Sequence, residues 1–174
     1  MRTAILVTSD KGSRGERADR SGPALEAWLK EHAADPAWIE IIPDETGLIV
    51  ERLTAWADSD QFDLIVTTGG TGVSPRDVTP DATLRVVERV LPGFGEVMRA
   101  RSLAKTPHAM ISRAISGIRK RTLIVNLPGS PRAAVENLEA VWPAIPHAID
   151  KIRGDLADCA VEAPQPSLPE APGQ

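Results

Sequence analysis

The chain has 174 residues, enough for one domain of ordinary size with a sizeable core. Its formal net charge of −4, from 24 acidic and 20 basic residues, argues against nucleic acid or a membrane surface as the main partner. No apolar run approaches the ~20 residues of a membrane span, and Met1-Arg2-Thr3 leads into Ala4-Ile5-Leu6-Val7 without the length or cleavage site of a signal peptide.

In chain order, residues 3–8 (TAILVT) read as a buried strand. The polar stretch Ser9 to Gly15 follows as a loop at the strand's carboxyl end, the edge where open α/β sheets collect ligands. Asp19-Arg20-Ser21-Gly22-Pro23 introduces a helix with Ala24, Leu25, Trp28 and Leu29 on its buried face. Trp38 to Ile42 is a second strand ending at Pro43-Asp44-Glu45-Thr46. Residues 47–58 form a helix whose Ile49, Leu53 and Trp56 make a core stripe.

The stretch Phe62 to Thr83 carries the densest signal. Leu64 to Thr68 is a short apolar, β-branched strand, and Gly69-Gly70-Thr71-Gly72 follows at once. Residues without Cβ atoms let the backbone approach an anion closely and turn N–H groups toward it. Thr79 reads as an N-cap, Pro80 as the first helical residue and Asp81 as a first-turn anion. Strand, glycine loop and helix start are the parts of an α/β phosphate site. The loop is neither a Walker A loop, lacking its Lys-Ser/Thr pair, nor the dinucleotide fingerprint, lacking its spacing. Such a turn can also be only a tight connection. Arg76 and Asp77 stand between loop and helix, where a cation for phosphate and a carboxylate for a metal would serve.

Residues 80–91 are expected to complete the helix, with Leu84, Val87 and Leu91 inward, until Pro92-Gly93-Phe94-Gly95 breaks it. A further helix is expected over 96–105, a break at Thr106-Pro107-His108, and a short piece over Ala109–Arg113. Residues 114–119 and 122–127 read as two strands joined by the basic turn Lys120-Arg121. Pro128-Gly129-Ser130 makes a second glycine turn, with Ser130 as cap and Pro131 opening a last helix to residue 152, disturbed at Pro143 and Pro146. The alternation of strand and helix points to a mostly parallel sheet covered on both faces. Residues 1–154 are read as one α/β domain. Residues 155–174, rich in proline, are read as an extended tail; they hold the single cysteine, Cys159, so no internal disulfide is possible and a reducing cytoplasm is the expected setting.

His32, His108 and His147 lack ligand spacing, so no side-chain metal cage is expected. The chemistry rests on Asp44, Asp77, Asp81, backbone N–H groups and basic residues. Two carboxylates suit Mg²⁺ on a polyphosphate, which completes its shell with phosphate oxygens and water.

The run Thr67 to Gly72, followed by Arg76-Asp77-Val78-Thr79-Pro80-Asp81-Ala82-Thr83, closely resembles the signature of the MogA/MoaB family of molybdenum-cofactor biosynthesis proteins. Asp19 to Pro23, Ile42 to Glu45, Pro92 to Glu96, Ser112-Arg113 and Leu127 to Pro131 resemble further family blocks, in the same order. The resemblance spans roughly residues 3–152. It implies a three-layer α/β/α sandwich, commonly a homotrimer, that binds molybdopterin. In its MogA-like members, AMP passes from Mg²⁺-bound ATP to molybdopterin and pyrophosphate leaves; hand-over to a molybdenum-insertion protein would follow. MoaB-like members offer the alternative of a non-catalytic binder or scaffold. Carried over by position, Asp44 and Asp77 hold Mg²⁺ and orient the phosphates, while Gly69, Gly70, Thr71 and Gly72 line the ligand cleft. Ser102, Ser112 and Arg113 are candidates for the molybdopterin phosphate. Pro128, Gly129 and Ser130 line the second turn, with backbone shaping and capping as the competing role, and Asp81 is as well explained by its place at a helix start.

Overall fold

The computed structural model describes residues 1–155. The expectation for the proline-rich tail falls beyond Asp155, outside the described residues, as does Cys159. A six-stranded sheet forms the middle layer, built from β1 (Arg2–Thr8), β2 (Asp35–Ile42), β3 (Leu64–Thr68), β4 (Arg89–Val90), β5 (Ser116–Arg119) and β6 (Thr122–Leu127). Their spatial order is β2-β1-β3-β6-β5-β4. β2, β1, β3 and β6 run parallel, and β5 and β4 are added by antiparallel pairing.

Strand periodicity divides the core in two. In β1, Ile5 and Val7 face one cluster while Ala4 and Leu6 face the other. The first cluster is closed by α2 (Ser21–Glu31), α5 (Pro92–Leu103), α6 (Pro131–Val141) and α7 (Ile145–Ile152), through residues such as Leu25, Met98, Leu138 and Ile149. The second is closed by α3 (Thr46–Asp58) and α4 (Thr79–Val86), through Ile49, Leu53, Trp56, Ala82 and Val86. The result is the expected three-layer α/β/α sandwich. Among the described residues no helix is long and apolar enough to cross a membrane.

Several local expectations are corrected. The helix opened by Pro80 ends at Val86, not Leu91, because residues 88–91 satisfy their backbone against the sheet: Glu88 N donates to Ile118 O and Leu91 N to Ser116 O, both at 2.8 Å. Leu84 is half exposed rather than inward. The buried residues of α4 are Thr79, Pro80, Ala82, Thr83 and Val86, a phase set by the two threonines bonding into the sheet. Pro92-Gly93-Phe94-Gly95 does not break a helix but opens one, with Pro92 in its first turn, where a missing N–H costs nothing. The stretch after β1 contains a short helix, α1 (Asp10–Ser13), capped by Ser9 Oγ accepting from Gly12 N at 3.0 Å. β2 also starts earlier than expected, at Asp35, and includes Pro36, which an edge strand tolerates.

Candidate functional site

Strand order decides where the site lies. The connection after β1 leads to β2 on one side, and the connection after β3 leads toward β6 on the other, so the crevice opens between the carboxyl ends of β1 and β3. A cleft of about 660 Å³ lies there. Its walls are Thr8 and Ser9 at the end of β1, Asp44 after β2, Thr68, Gly69 and Gly70 at the end of β3, Arg76 and Asp77 beyond the loop, and Gly129 and Ser130 after β6. Its volume suits a nucleotide-sized ligand.

The loop geometry depends on its first two glycines. Gly69 and Gly70 have φ of +107° and +59°, where residues with a Cβ are strained. A Cβ at Gly69 would stand 2.2 Å from Thr8 O, and one at Gly129 would stand 3.2 Å from Gly69 Cα, so both glycine turns touch. Thr68 Oγ1 donates to Pro128 O at 2.7 Å, and Gly69 N to Leu127 O at 3.3 Å, binding the two turns together. Ser21 Oγ, at the start of α2, donates to Gly129 O at 2.8 Å. Beneath them runs a buried polar network. Asn126 Nδ2 donates to Thr67 Oγ1 at 3.0 Å and to Thr83 Oγ1 at 2.9 Å, and Thr8 Oγ1 and Thr79 Oγ1 share a bond of 3.0 Å. It anchors the start of α4 to β1, β3 and β6. Thr79 is therefore the first helical residue and wholly buried, not the expected N-cap; Val78 takes that position with no side-chain bond. Ser130 stands at the N-cap of α6 as expected, although its side chain makes no capping bond.

The acidic residues of this cleft are not alike. Asp44 Oδ2 accepts from Asp10 N at 2.9 Å, and Asp44 N donates back to Asp10 Oδ1 at 3.1 Å. Asp44 Oδ1 is buried with no partner and faces the loop, 3.0 Å from where a Gly70 Cβ would be. Burial pushes the Asp44 carboxyl up from its ordinary value, and the charges of Asp10 and Asp77 add to the rise while the Asp10 N–H and Arg76 oppose it. Asp77 turns its carboxylate back onto its own loop, Oδ2 accepting from Ser74 N at 2.7 Å. Asp10 is held below the usual carboxylate range, first of all by its hydrogen bonds from Arg76.

A second cleft, of about 250 Å³, opens on the other side of the same loop. Thr71, Gly72 and Pro128 form its near wall; Met98, Ala109, Ile111 and Ala133 make it apolar, and Ser102, Ser112 and Asn137 supply polar atoms. Asn137 Nδ2 donates to Ser102 Oγ at 3.1 Å and to Ala133 O at 2.8 Å. The candidates read from the sequence thus divide: Asp44, Asp77, Gly69, Gly70, Gly129 and Ser130 line the large cleft, while Thr71, Gly72, Ser102, Ser112 and Pro128 line the small one. Arg113 and Asp81 line neither. They pair with each other at 2.9 Å, and Arg113 also donates to Gly72 O at 2.7 Å and to Asp77 O, bracing the loop from behind.

Several residues of this arrangement are absent from the candidates read in the sequence. Asp10 stood in the loop after a strand run, where solvation and capping explain it slightly better than ligand contact. Thr8, Asn126 and Asn137 carried no signal, since each matters through a partner about 35 or more residues away. Among the described residues no group of three or more His, Cys, Asp or Glu side chains has the geometry of a metal site. The donor set nevertheless fits Mg²⁺ carried on a polyphosphate. Asp44 offers a buried, unpartnered oxygen in the cleft that Asp77 also lines, and that ion characteristically takes one or two carboxylates with phosphate oxygens and water.

Residues 4–147 match the family model described as a probable molybdopterin binding domain. The chain is similar to the molybdopterin adenylyltransferase of Helicobacter pylori strain 26695, 48% identical over 153 residues and 87% of each chain. It is also similar to that of Escherichia coli K12, 40% identical over 176 residues, 93% of this chain and 90% of that one. Among solved structures, the molybdopterin biosynthesis enzyme MoaB of Thermus thermophilus superposes with a TM-score of 0.83 at 49% identity, covering 88% of this chain and 97% of that one. With the β1/β3 crevice, the glycine loop and this match over most of its length, the chain belongs to the molybdopterin-binding domain family of molybdenum-cofactor biosynthesis proteins.

Proposed function

We propose that this protein is a molybdopterin adenylyltransferase, which joins AMP from ATP to the terminal phosphate of molybdopterin. The observation that carries the reading is a single glycine loop with a polar cleft on one side and an apolar cleft on the other. The larger cleft, with Asp44, Asp77 and the loop's first glycines, takes the nucleotide phosphates. The smaller, with Met98, Ile111 and Pro128 against a planar heterocycle and Ser102 and Ser112 at its polar edge, takes the pterin. The two substrates then meet across the loop.

In the reaction an oxygen of the molybdopterin phosphate forms a bond to the α-phosphorus of ATP, and the bond to the departing pyrophosphate breaks. Both partners are anions, so the residues must position them while neutralising charge. Loop N–H groups hold phosphate oxygens. Asp44 and Asp77 are the residues that would hold Mg²⁺, which would supply positive charge to the reacting phosphates. Arg113 acts as a positioning residue through Gly72 O and Asp77 O, and Asp81 through Arg113.

Incubation with molybdopterin, ATP and Mg²⁺ is expected to yield adenylylated molybdopterin and pyrophosphate in equal amounts. The alternative reading is a binder of the same fold that holds the pterin without chemistry. Tight pterin binding with no adenylylated product would select it over the enzyme.

The assembly is proposed as a homotrimer in the cytoplasm. Val97 and Leu103 on α5, with Met110 on the adjoining 3₁₀ turn (Pro107–Ile111), are 44–67% exposed and offer apolar surface for a second copy. Light scattering is expected to give three times the chain mass of 18.7 kDa; a mass of one chain at micromolar concentration would remove the trimer.

A further inference from the structure

Asp10 and Arg76 lie 66 residues apart, one in α1 and the other between the glycine loop and α4, yet they meet as a two-point ion pair. Arg76 Nε donates to Asp10 Oδ2 at 2.9 Å and Nη2 to Oδ1 at 2.7 Å. The guanidinium lines the larger cleft, and the pair is open to solvent, with the Arg76 side chain 57% and that of Asp10 25% exposed. A planar fork that clasps a carboxylate clasps a phosphate in the same manner. Exposed pairs of this kind hold weakly, so a more highly charged anion can take the arginine over. Asp10 itself would not leave with it. Its backbone N–H is bonded to Asp44 Oδ2 and its Oδ1 accepts from Asp44 N, which anchors it to the loop after β2.

We propose that Asp10 is a built-in competitor for Arg76: in the empty cleft its carboxylate occupies the guanidinium, and a polyphosphate binds by displacing it. The pair thereby sets how highly charged an anion must be before the cleft admits it. This rests on the reading of the larger cleft as the nucleotide site, and it predicts effects of opposite sign at two residues that touch each other.

The test is calorimetric titration of the full chain with ATP and, separately, with inorganic tripolyphosphate. Asp10→Asn keeps an oxygen for Asp44 N, removes the competing charge and leaves an NH2 that cannot accept from Arg76, so both probes should bind about three- to fivefold more tightly. Arg76→Gln should weaken both by about tenfold or more. The double variant should bind as Arg76→Gln does, because Asp10 acts only through the arginine. If Asp10→Asn weakens binding or leaves it unchanged, or if Arg76→Gln stays within about twofold of the parent, the competition does not exist. The same holds if the pair merely stiffens the loop, which would lower melting temperature in both variants without opposite effects on affinity. A parent chain that binds neither probe would instead remove the nucleotide reading of the cleft, and this inference with it.

Discussion

Asp44→Asn and Asp77→Asn are expected to fold, to bind molybdopterin, and to turn it over about 10²-fold or more slowly than the parent, the scale of losing one preorganised electrostatic contact to a transition state. Both residues stand on loops at the sheet's rim, outside the two apolar clusters, so the core does not depend on them. Asp44→Asn has a second signature, in stability. The folded carboxyl sits above its unfolded value, with burial as the largest cause, so the folded chain binds this proton more readily than the unfolded chain does. Ionising Asp44 therefore costs stability as pH rises from the unfolded value of 3.8 through the raised folded one. Below 3.8 both states are protonated and the cost is gone. The variant should accordingly melt at or above the parent temperature at pH 7, with the difference shrinking toward zero in acid. Adenylylation at close to the parental rate would remove the role assigned to either carboxylate. A melting temperature that falls at pH 7 would show that Asp44 supports the fold rather than opposing it.

Gly69→Ala is expected to do the reverse, damaging the fold before the chemistry. At φ of +107° a non-glycine backbone is strained by about 1–3 kcal/mol. The added Cβ would also stand 2.2 Å from Thr8 O, a backbone atom at the carboxyl end of β1 that no side-chain rotation can move away. β1 and β3 must separate at their carboxyl ends, loosening the Thr8–Thr79 bond and the contact with Gly129. A loss of about 3 kcal/mol or more, or roughly 10 °C in melting temperature for a domain of this size, should follow. Gly47→Ala is the matched control, since a Cβ there meets nothing within 4 Å. Equal melting curves for Gly69→Ala and Gly47→Ala would show that the loop is not held as described.

The sequence by itself determined most of the fold and pointed to the glycine loops and the acidic residues of the candidate site. β1, β3, β5 and β6 were legible as short apolar runs and the long helices by side-chain periodicity, both of them local properties of the chain. The glycine loops were legible for a similar reason, since only glycine meets the backbone conformation needed at Gly69 and Gly70. Other features belonged to the tertiary structure alone. Residues 88–91 became an edge strand because an open sheet edge beside β5 could satisfy their backbone, and no local pattern announces a neighbour 30 residues ahead. The phase of α4, which leaves Leu84 in solvent, followed from Thr79 and Thr83 bonding to Thr8 and Asn126. In the same way, Arg113 braces the loop, Asp10 holds both Asp44 and Arg76, and one glycine loop divides two clefts, because strand order brings together residues that lie 30 to 70 positions apart. Composition and spacing identify which groups can do chemistry; which of them are spoken for by a partner, and which oxygen is left without one, is decided only when the strands are laid side by side.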